Sequence, residues 1–112
     1  MHVVNIDQLP AGSFSHELEG ADHGGVGVSL IFTEAAPGHG TSLHRHDYVE
    51  LHVVQGGEAV FTAGDEERVV RAGEIVVVPP GTPHRFESSG DGQFREIAIH
   101  VSPRFMTEWL DG

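Results

Sequence analysis

The chain contains no cysteine and no lysine, and both absences exclude classes of function. Without cysteine there are no disulfide bonds, no thiolate metal ligands and no cysteine nucleophile. All 6 basic residues are arginine, and they stand against 17 aspartate and glutamate residues, which gives a net charge of −11. A surface with this charge repels nucleic-acid phosphates and anionic lipid headgroups, so we expect neither nucleic acid nor a membrane as a partner.

Long apolar runs are also absent. The longest purely aliphatic run covers residues 75–78 and is far too short to cross a bilayer. The first residues contain neither a basic segment nor a long apolar segment, so no signal peptide is predicted. The lack of cysteine fits a reducing compartment. We therefore expect a soluble, cytoplasmic protein.

Turn-forming residues, in contrast, are abundant. With 15 glycines and 6 prolines in 112 residues, turn signals recur throughout the chain. Turn signals that recur at regular intervals between β-prone segments predict an all-β fold. We expect a single domain over residues 1–112, built as an antiparallel jelly-roll barrel. The predicted strands cover residues 26–34, 48–55, 58–63, 68–71, 74–79, 84–87 and 93–101.

A short helix is predicted only at the C-terminal end. Ser102 and Pro103 have the pattern of an N-cap followed by proline at the first helical position. Apolar residues then follow at spacings of one helical turn, and we expect this helix to pack on the barrel or on a partner subunit. A homodimer is expected, because it covers open strand edges and exposed apolar side chains such as Trp109 and Leu110.

Histidine is in excess, with 9 residues, and two of these residues stand two positions apart. On a strand, His44 and His46 point to the same face, and imidazole is a common ligand of transition metals. Taken alone, such a pair is more often two surface histidines that bind no metal, or two hydrogen-bonded histidines in the core. Glu50 has the same parity, but a straight strand would place it about 13 Å from His46, too far to share one ion. A shared metal site therefore requires a bend, which we predict at Asp47 and Tyr48.

This region resembles the first motif of the cupin superfamily. The motif has a glycine, two histidines separated by one residue, a glutamate and a second glycine at fixed spacings. Here it consists of Gly38, His44, His46, Glu50 and Gly57, and every spacing fits. The resemblance implies a cupin-type barrel.

A second cupin motif follows at the spacing typical of the family. It runs from Gly73 through the Pro-Pro-Gly sequence of residues 79–81 to His84. The family's final asparagine is replaced by Ser88, which affects a turn contact and not a metal ligand. The wider pattern is similar to small single-domain bacterial cupins of the conserved-barrel type, for which no substrate follows.

The resemblance implies one divalent transition metal inside the barrel, on His44, His46, Glu50 and His84. Three imidazoles and one carboxylate leave one or two coordination positions open, as in catalytic sites. The ligands suit Fe, Mn, Ni, Zn or Cu and do not choose among them. The alternative is a cupin with an empty barrel, and the complete ligand set argues against it.

Three functions are open on this basis. The preferred one is a dioxygenase-like oxidoreductase acting on a small oxygenated organic molecule. The second is a non-redox isomerase, cyclase or decarboxylase, in which the metal polarises a carbonyl group. The third is a module that binds a small ligand without turnover. Because no helix-turn-helix pattern is present, we do not expect the chain itself to be a regulator.

Further residues are predicted around the metal. His52 shares the face of Glu50, about 7 Å further along the strand, and is a candidate catalytic base or a partner that orients a ligand. A hydrogen-bonded core histidine is an equal alternative, and His100 offers a weaker version of the same choice. Arg45 should point away from the metal. Candidates for an apolar cavity wall are Phe32, Val54, Phe61, Val76, Val78 and Phe86, although core packing is the preferred expectation for each of them.

Overall fold

A computed structural model describes residues 1–110 as two antiparallel β-sheets that face each other. The strands are β1 (Ser15–Leu18), β2 (Ser29–Ala35), β3 (His44–Arg45), β4 (Glu50–Gly56), β5 (Glu58–Ala63), β6 (Glu66–Arg71), β7 (Ile75–Val78), β8 (His84–Ser89), β9 (Phe94–His100) and β10 (Glu108–Trp109). One sheet has the order β1-β2-β9-β4-β7 and the other has the order β10-β3-β8-β5-β6. The predicted all-β jelly-roll fold is confirmed.

The helical segments of the described chain are two short 3₁₀ helices, Ile6–Gln8 and Gly20–Asp22. Each helix covers three residues, so it amounts to a single turn that connects neighbouring segments. Among residues 1–110 there is no helix with the length and apolar character needed to span a membrane.

Burial alternates along the central strands and shows which side chains face the interior. In β9, Phe94, Glu96, Ala98 and His100 are buried, whereas the residues between them are exposed or half-buried. Strands β4 and β8 show the same alternation. Because successive side chains of a strand point to opposite faces, these buried sets line one shared interior.

An apolar core fills part of this interior and supports a polar cluster beside it. The rings of Phe61 and Phe86 stack with their centroids 5.4 Å apart. The ring of His52 stands edge-on to Phe61, with the centroids 5.0 Å apart. The apolar core and the polar cluster therefore meet where the ring of His52 contacts the ring of Phe61. Its buried members are Val54, Ala59, Phe61, Val70, Phe86 and Phe94.

The hairpin between β4 and β5 depends on one glycine. Gly57 has a φ of 68°, a conformation that side chains other than glycine rarely adopt. A Cβ atom at this position would also lie 2.5 Å from the carbonyl oxygen of Gln93. The turn therefore requires glycine for two reasons, the positive φ of Gly57 and the close approach of the Gln93 backbone.

All seven predicted strands are present, and their ends differ from the prediction by at most three residues. Strand β5 agrees at both ends. The prediction missed β1, β3 and β10, which contain four, two and two residues. Strands of two to four residues are too short to show a hydrophobic period. They can be recognised only by their pairing with a neighbouring strand.

The predicted C-terminal helix is wrong for residues 102–110. The N–H of Met106 donates to the hydroxyl oxygen of Tyr48 at 3.2 Å, and the N–H of Leu110 donates to the carbonyl of Leu43 at 3.0 Å. Residues 108–109 form β10 and pair with β3. A helix this short has little stability of its own, so these tertiary hydrogen bonds outweigh the helical pattern.

Candidate metal centre

Four buried side chains converge from three neighbouring segments of the barrel. His44 in β3 pairs directly with His84, the first residue of β8. His46 follows β3, and Glu50 begins β4 after a bend at residues 47–48. Each side chain offers one ligand atom, and these atoms all lie within 4.8 Å of one another. The predicted bend is confirmed, and it brings Nε2 of His46 to 3.2 Å from Oε1 of Glu50.

The three histidines of this cluster are held in one tautomer. In each ring, Nδ1 lies within hydrogen-bond distance of a backbone carbonyl oxygen, which can only accept. The proton of each neutral ring therefore resides on Nδ1, and the lone pair of Nε2 is left for the interior. The carbonyls are those of Ser42 for His44 at 2.7 Å, Met106 for His46 at 3.0 Å and Thr82 for His84 at 2.8 Å.

The donor set fits a metal ion. Nε2 of His84 lies 2.9 Å and Nε2 of His46 lies 3.2 Å from the same oxygen of Glu50, and Nε2 of His46 is buried without a hydrogen bond. Lone pairs and a carboxylate oxygen repel at this separation unless a cation or extra protons lie between them. Imidazole and carboxylate are ligands for divalent transition metals. The cluster of His44, His46, Glu50 and His84 can therefore bind such an ion.

A second layer of side chains holds the other oxygen of Glu50. Nε2 of His52 and Nε2 of His100 each lie 3.0 Å from Oε2. Nδ1 of His52 bonds to Glu96 at 2.7 Å, and Nδ1 of His100 bonds to the hydroxyl group of Tyr48 at 2.8 Å. The two oxygens of Glu50 thus face different partners, with Oε1 toward the metal cluster and Oε2 toward this second layer.

Charge and burial shift the pKa values in opposite directions across the cluster. Burial lowers the pKa of His44 to about 4, against the carbonyl of Ser42, which raises it. Burial alone would raise the pKa of Glu50, but the close approach of four imidazoles, with His100 contributing most, holds it far below its ordinary value. Burial alone would lower the pKa of His52, but the charge of Glu96, followed by Glu50, raises it to about 10.

A cavity of about 390 Å³ opens beside the four candidate ligands. Three of these ligands, His44, His46 and Glu50, contribute to its lining, as does His52. An apolar cavity with a few polar groups is the usual form of a small-molecule site. The aromatic side chains that line it are Phe14, Phe86, Phe105 and Trp109.

The cavity also contains acidic residues that sequence reasoning missed. Glu17 and Glu96 line it. Glu96 stands at an inward position of β9, two residues after Phe94, so its parity with the buried aromatic residue was a usable signal. Glu17 belongs to the short β1, which had no signal. Of the six candidates for the wall, Val54, Phe61 and Phe86 belong to the core, and Phe86 also lines the cavity.

Arg45 stands outside the cluster, as predicted. Its side chain is 42% exposed, and Nε lies 2.9 Å from Oε2 of Glu108. The pair joins β3 to β10 on the surface. His52 is buried and bonded to Glu96, and the structure places it next to Glu50 and not at the four-ligand cluster itself.

Residues 26–112 match a family model described as the AraC-like ligand binding domain. This chain is a cupin of that family. The resemblance seen in its two motifs is thereby confirmed. The cupin is 32% identical over 80 residues to an uncharacterized protein of Methanocaldococcus jannaschii, covering 70% of this chain and 64% of the relative. It is 32% identical over 85 residues to protein SchB of Streptomyces halstedii, covering 75% and 58%. The cupin therefore spans less than two thirds of either curated relative.

Solved structures of similar fold cover nearly the whole chain. An oxalate oxidase in complex with glycolate superimposes with a TM-score of 0.79 at 23% identity, over 96% of this chain and 62% of that one. A cupin-like protein from Thermotoga maritima gives 0.76 at 18% identity, over 98% and 89%. A double-stranded β-helix protein from Klebsiella pneumoniae gives 0.76 at 20% identity, over 98% and 92%. At these identities the likeness shows the fold alone.

Proposed function

We propose that this cupin is a metal-dependent enzyme, a dioxygenase-like oxidoreductase that acts on a small oxygenated organic molecule. His44, His46, Glu50 and His84 would hold one divalent transition metal at the edge of the cavity. The observation that carries the proposal is the set of inward-facing Nε2 lone pairs gathered around one oxygen of Glu50. A bound ion supplies Lewis acidity and, if it is redox-active, electron transfer.

The protein's own side chains have three tasks in this proposal. The aromatic lining excludes water and packs against the organic part of the substrate. The backbone carbonyls fix the histidine tautomers and thus the direction of each lone pair. Both ring nitrogens of His52 are directed at protein carboxylates, Nε2 at Glu50 and Nδ1 at Glu96, at 3.0 Å and 2.7 Å. We therefore assign His52 to positioning Glu50 and not to general-base catalysis.

The oxidoreductase class is preferred over the isomerase, cyclase and decarboxylase classes for one reason. Solved structures that share this fold include oxalate oxidases, which are oxidoreductases by name. The four ligands suit a redox-inert ion equally well, so the choice depends on which metal the protein acquires.

The first experiment is elemental analysis of protein purified without added metal. We expect about one equivalent of a transition metal per chain, and its loss in His44→Ala and Glu50→Gln. His2→Ala removes an exposed histidine outside the cluster and should keep the metal. A wild-type protein that takes up no ion after incubation with Fe(II), Mn(II) or Zn(II) would overturn the proposal.

A second experiment separates the redox and non-redox classes. The Fe(II)-loaded protein is tested for oxygen uptake against enolisable and phenolic substrates, and the Zn(II)- and Mn(II)-loaded forms are tested for turnover without oxygen. Oxygen uptake that stops in Glu50→Gln supports the oxidoreductase. Turnover confined to the anaerobic samples would instead support an isomerase, cyclase or decarboxylase.

The family description favours a second candidate, a ligand-binding module. The matched model is defined by ligand binding, and the cupin spans only part of its curated relatives. In this role the same cavity would capture an effector and release it unchanged. Micromolar binding of a small molecule by metal-loaded protein, with no turnover under either atmosphere, would favour the module over the enzyme.

We further propose that the cupin forms a homodimer in the cytoplasm, without nucleic-acid or membrane partners. The net charge of −11 and the lack of cysteine support the location and the partners. Ile75 and Val77 on edge strand β7 are 61% and 60% exposed, and Trp109 is 60% exposed, which supports an apolar contact between copies. Sedimentation equilibrium should give a dimer that Val77→Arg weakens and the surface control Gln93→Arg does not. A monomeric wild type would contradict the dimer.

A further inference from the structure

The acidic lining of the cavity restricts what it can hold. Glu17, Glu50 and Glu96 line it, no arginine among residues 1–110 does, and the chain has no lysine. Glu50 and Glu96 have His52 between them, at 3.0 Å and 2.7 Å. The carboxylate of Glu17 has neither a hydrogen bond nor an ion pair within the described chain. Glu17 is therefore the acidic group of the lining that remains for a ligand.

We propose that this cavity takes a small organic molecule that is uncharged or cationic and that presents a hydrogen-bond donor to Glu17. This inference rests on the proposed function, because it names the ligand class of the same site. The apolar part of the molecule packs against the aromatic lining, to which Phe14, Phe105 and Trp109 contribute. An alcohol, a phenol or an amine meets these requirements, and Glu17 is the residue that selects for them.

Charge balance supports this ligand class. With a divalent ion on the cluster, the three cavity carboxylates outweigh the ion by one negative charge. A dicarboxylate would add two further negative charges, in a cavity where like charges repel more than in water. A neutral donor or an ammonium group instead gives the Glu17 carboxylate the partner that it lacks.

The acidic lining of the cavity also bears on the comparison with the solved structures of similar fold. One of them is an oxalate oxidase in complex with glycolate. A ligand with two carboxylates needs cationic side chains to balance its charge, and the lining that residues 1–110 give this cavity contains neither arginine nor lysine but does contain the carboxylate of Glu17. Oxalate is therefore expected to bind poorly here, despite the shared barrel.

Three probes with one ring and different charges test the inference. Benzylamine, benzyl alcohol and benzoate are titrated by calorimetry into the Zn(II)-loaded and the metal-free protein, and oxalate is added as a fourth ligand. We expect benzylamine to bind roughly tenfold tighter than benzoate in the wild type. Glu17→Gln keeps the size of the side chain and should abolish this preference. Glu34→Gln removes the same charge from an exposed position of β2 and should leave the preference unchanged.

Each result has a defined meaning. Tighter binding of benzoate or oxalate than of benzylamine overturns the inference, as does an equal preference in wild type and Glu17→Gln. Failure of all three ring probes to bind at millimolar concentration overturns it as well. Metal content is measured on the same samples. A protein without metal that prefers benzylamine refutes the proposed function alone, whereas a metal-loaded protein that prefers benzoate refutes only the ligand class.

Discussion

Nδ1 of His100 lies 2.8 Å from the hydroxyl oxygen of Tyr48. The same oxygen accepts the N–H of Met106 at 3.2 Å, and we assign the hydroxyl proton to Nδ1 of His100. The proton of a neutral His100 then resides on Nε2, which faces Oε2 of Glu50 at 3.0 Å. One hydroxyl group at the rim of the barrel thus helps to determine which oxygen of Glu50 is left for a metal.

Removing this hydroxyl group should weaken metal binding. Tyr48→Phe keeps the ring that stacks on His46, with the centroids 5.0 Å apart, and removes the hydroxyl group that contacts His100 and accepts the N–H of Met106. We expect the Zn(II) affinity to fall by about tenfold, the lower end for loss of a group that orients a ligand. Competition with a chromophoric chelator measures the change. His100→Gln should weaken binding similarly, and the double variant should add little, because both changes break one chain of hydrogen bonds. An unchanged affinity in Tyr48→Phe would contradict the assigned direction of the bond.

Truncation of the fully buried core ring should cost much of the stability of the fold. Phe94 has no exposed surface and packs against Phe86, with the ring centroids 5.4 Å apart. Phe94→Ala should lower the free energy of unfolding by about 3–5 kcal/mol, measured by urea denaturation. Phe32→Ala removes the same ring from a half-buried position of β2 and should cost clearly less. Equal losses in the two variants would argue against the observed core.

Alanine substitutions at two glycines distinguish the cost of backbone strain from the cost of a steric clash. Gly57 and Gly73 both have positive φ, 68° and 92°, so alanine is strained at either position by about 1–2 kcal/mol. A Cβ at Gly57 also meets the carbonyl of Gln93 at 2.5 Å, whereas a Cβ at Gly73 meets nothing within 4 Å. We expect Gly57→Ala to reduce the melting temperature more than Gly73→Ala does. The reverse order, measured by calorimetry, would refute the close approach.

The surface pair between Arg45 and Glu108 should show as a pH effect. The Arg45 guanidinium, first by hydrogen bonding and then by charge, lowers the pKa of Glu108 below its ordinary value of 4.5. The folded state therefore favours the carboxylate, and the contribution of the pair is present above pH 4.5 and disappears as the pH falls through the lowered pKa. Side-chain NMR should show Glu108 titrating at a higher pH in Arg45→Gln than in the wild type. Identical titration curves would show that the pair does not form in solution.

The larger strands could be predicted from the sequence, and the resemblance of two motifs to the cupin superfamily supplied the four candidate ligands. The β-prone segment at residues 93–101 is a local pattern that persists in the fold as β9. The bend at residues 47–48 followed from distance alone, because one ion cannot be shared along a straight strand. The strand and the bend each depend on residues close together in the chain, whereas His84 lies 34 positions from Glu50 and was joined to it by the second motif.

The parts that sequence reasoning missed depend on contacts between distant residues. The hydrogen bond between His46 and Met106 joins positions 60 residues apart, and no local sequence pattern predicts it. The C-terminal segment has helical spacing, yet its backbone groups bond to Tyr48 and Leu43. Glu17 lies on a four-residue strand that is defined by pairing with β2. Such features become visible only when the sheets are assembled.

The pairing of β10 with β3 has a consequence for biosynthesis. The carbonyl of Met106 fixes the tautomer of His46, and the ring of Trp109 lies on His44 with the centroids 5.1 Å apart. A nascent chain that has emerged only to residue 100 already contains all four candidate ligands but lacks these two supports. The segment that follows β9 must therefore dock against β3 before His44 and His46 are fully held, so cutting the chain after residue 100 should weaken metal binding.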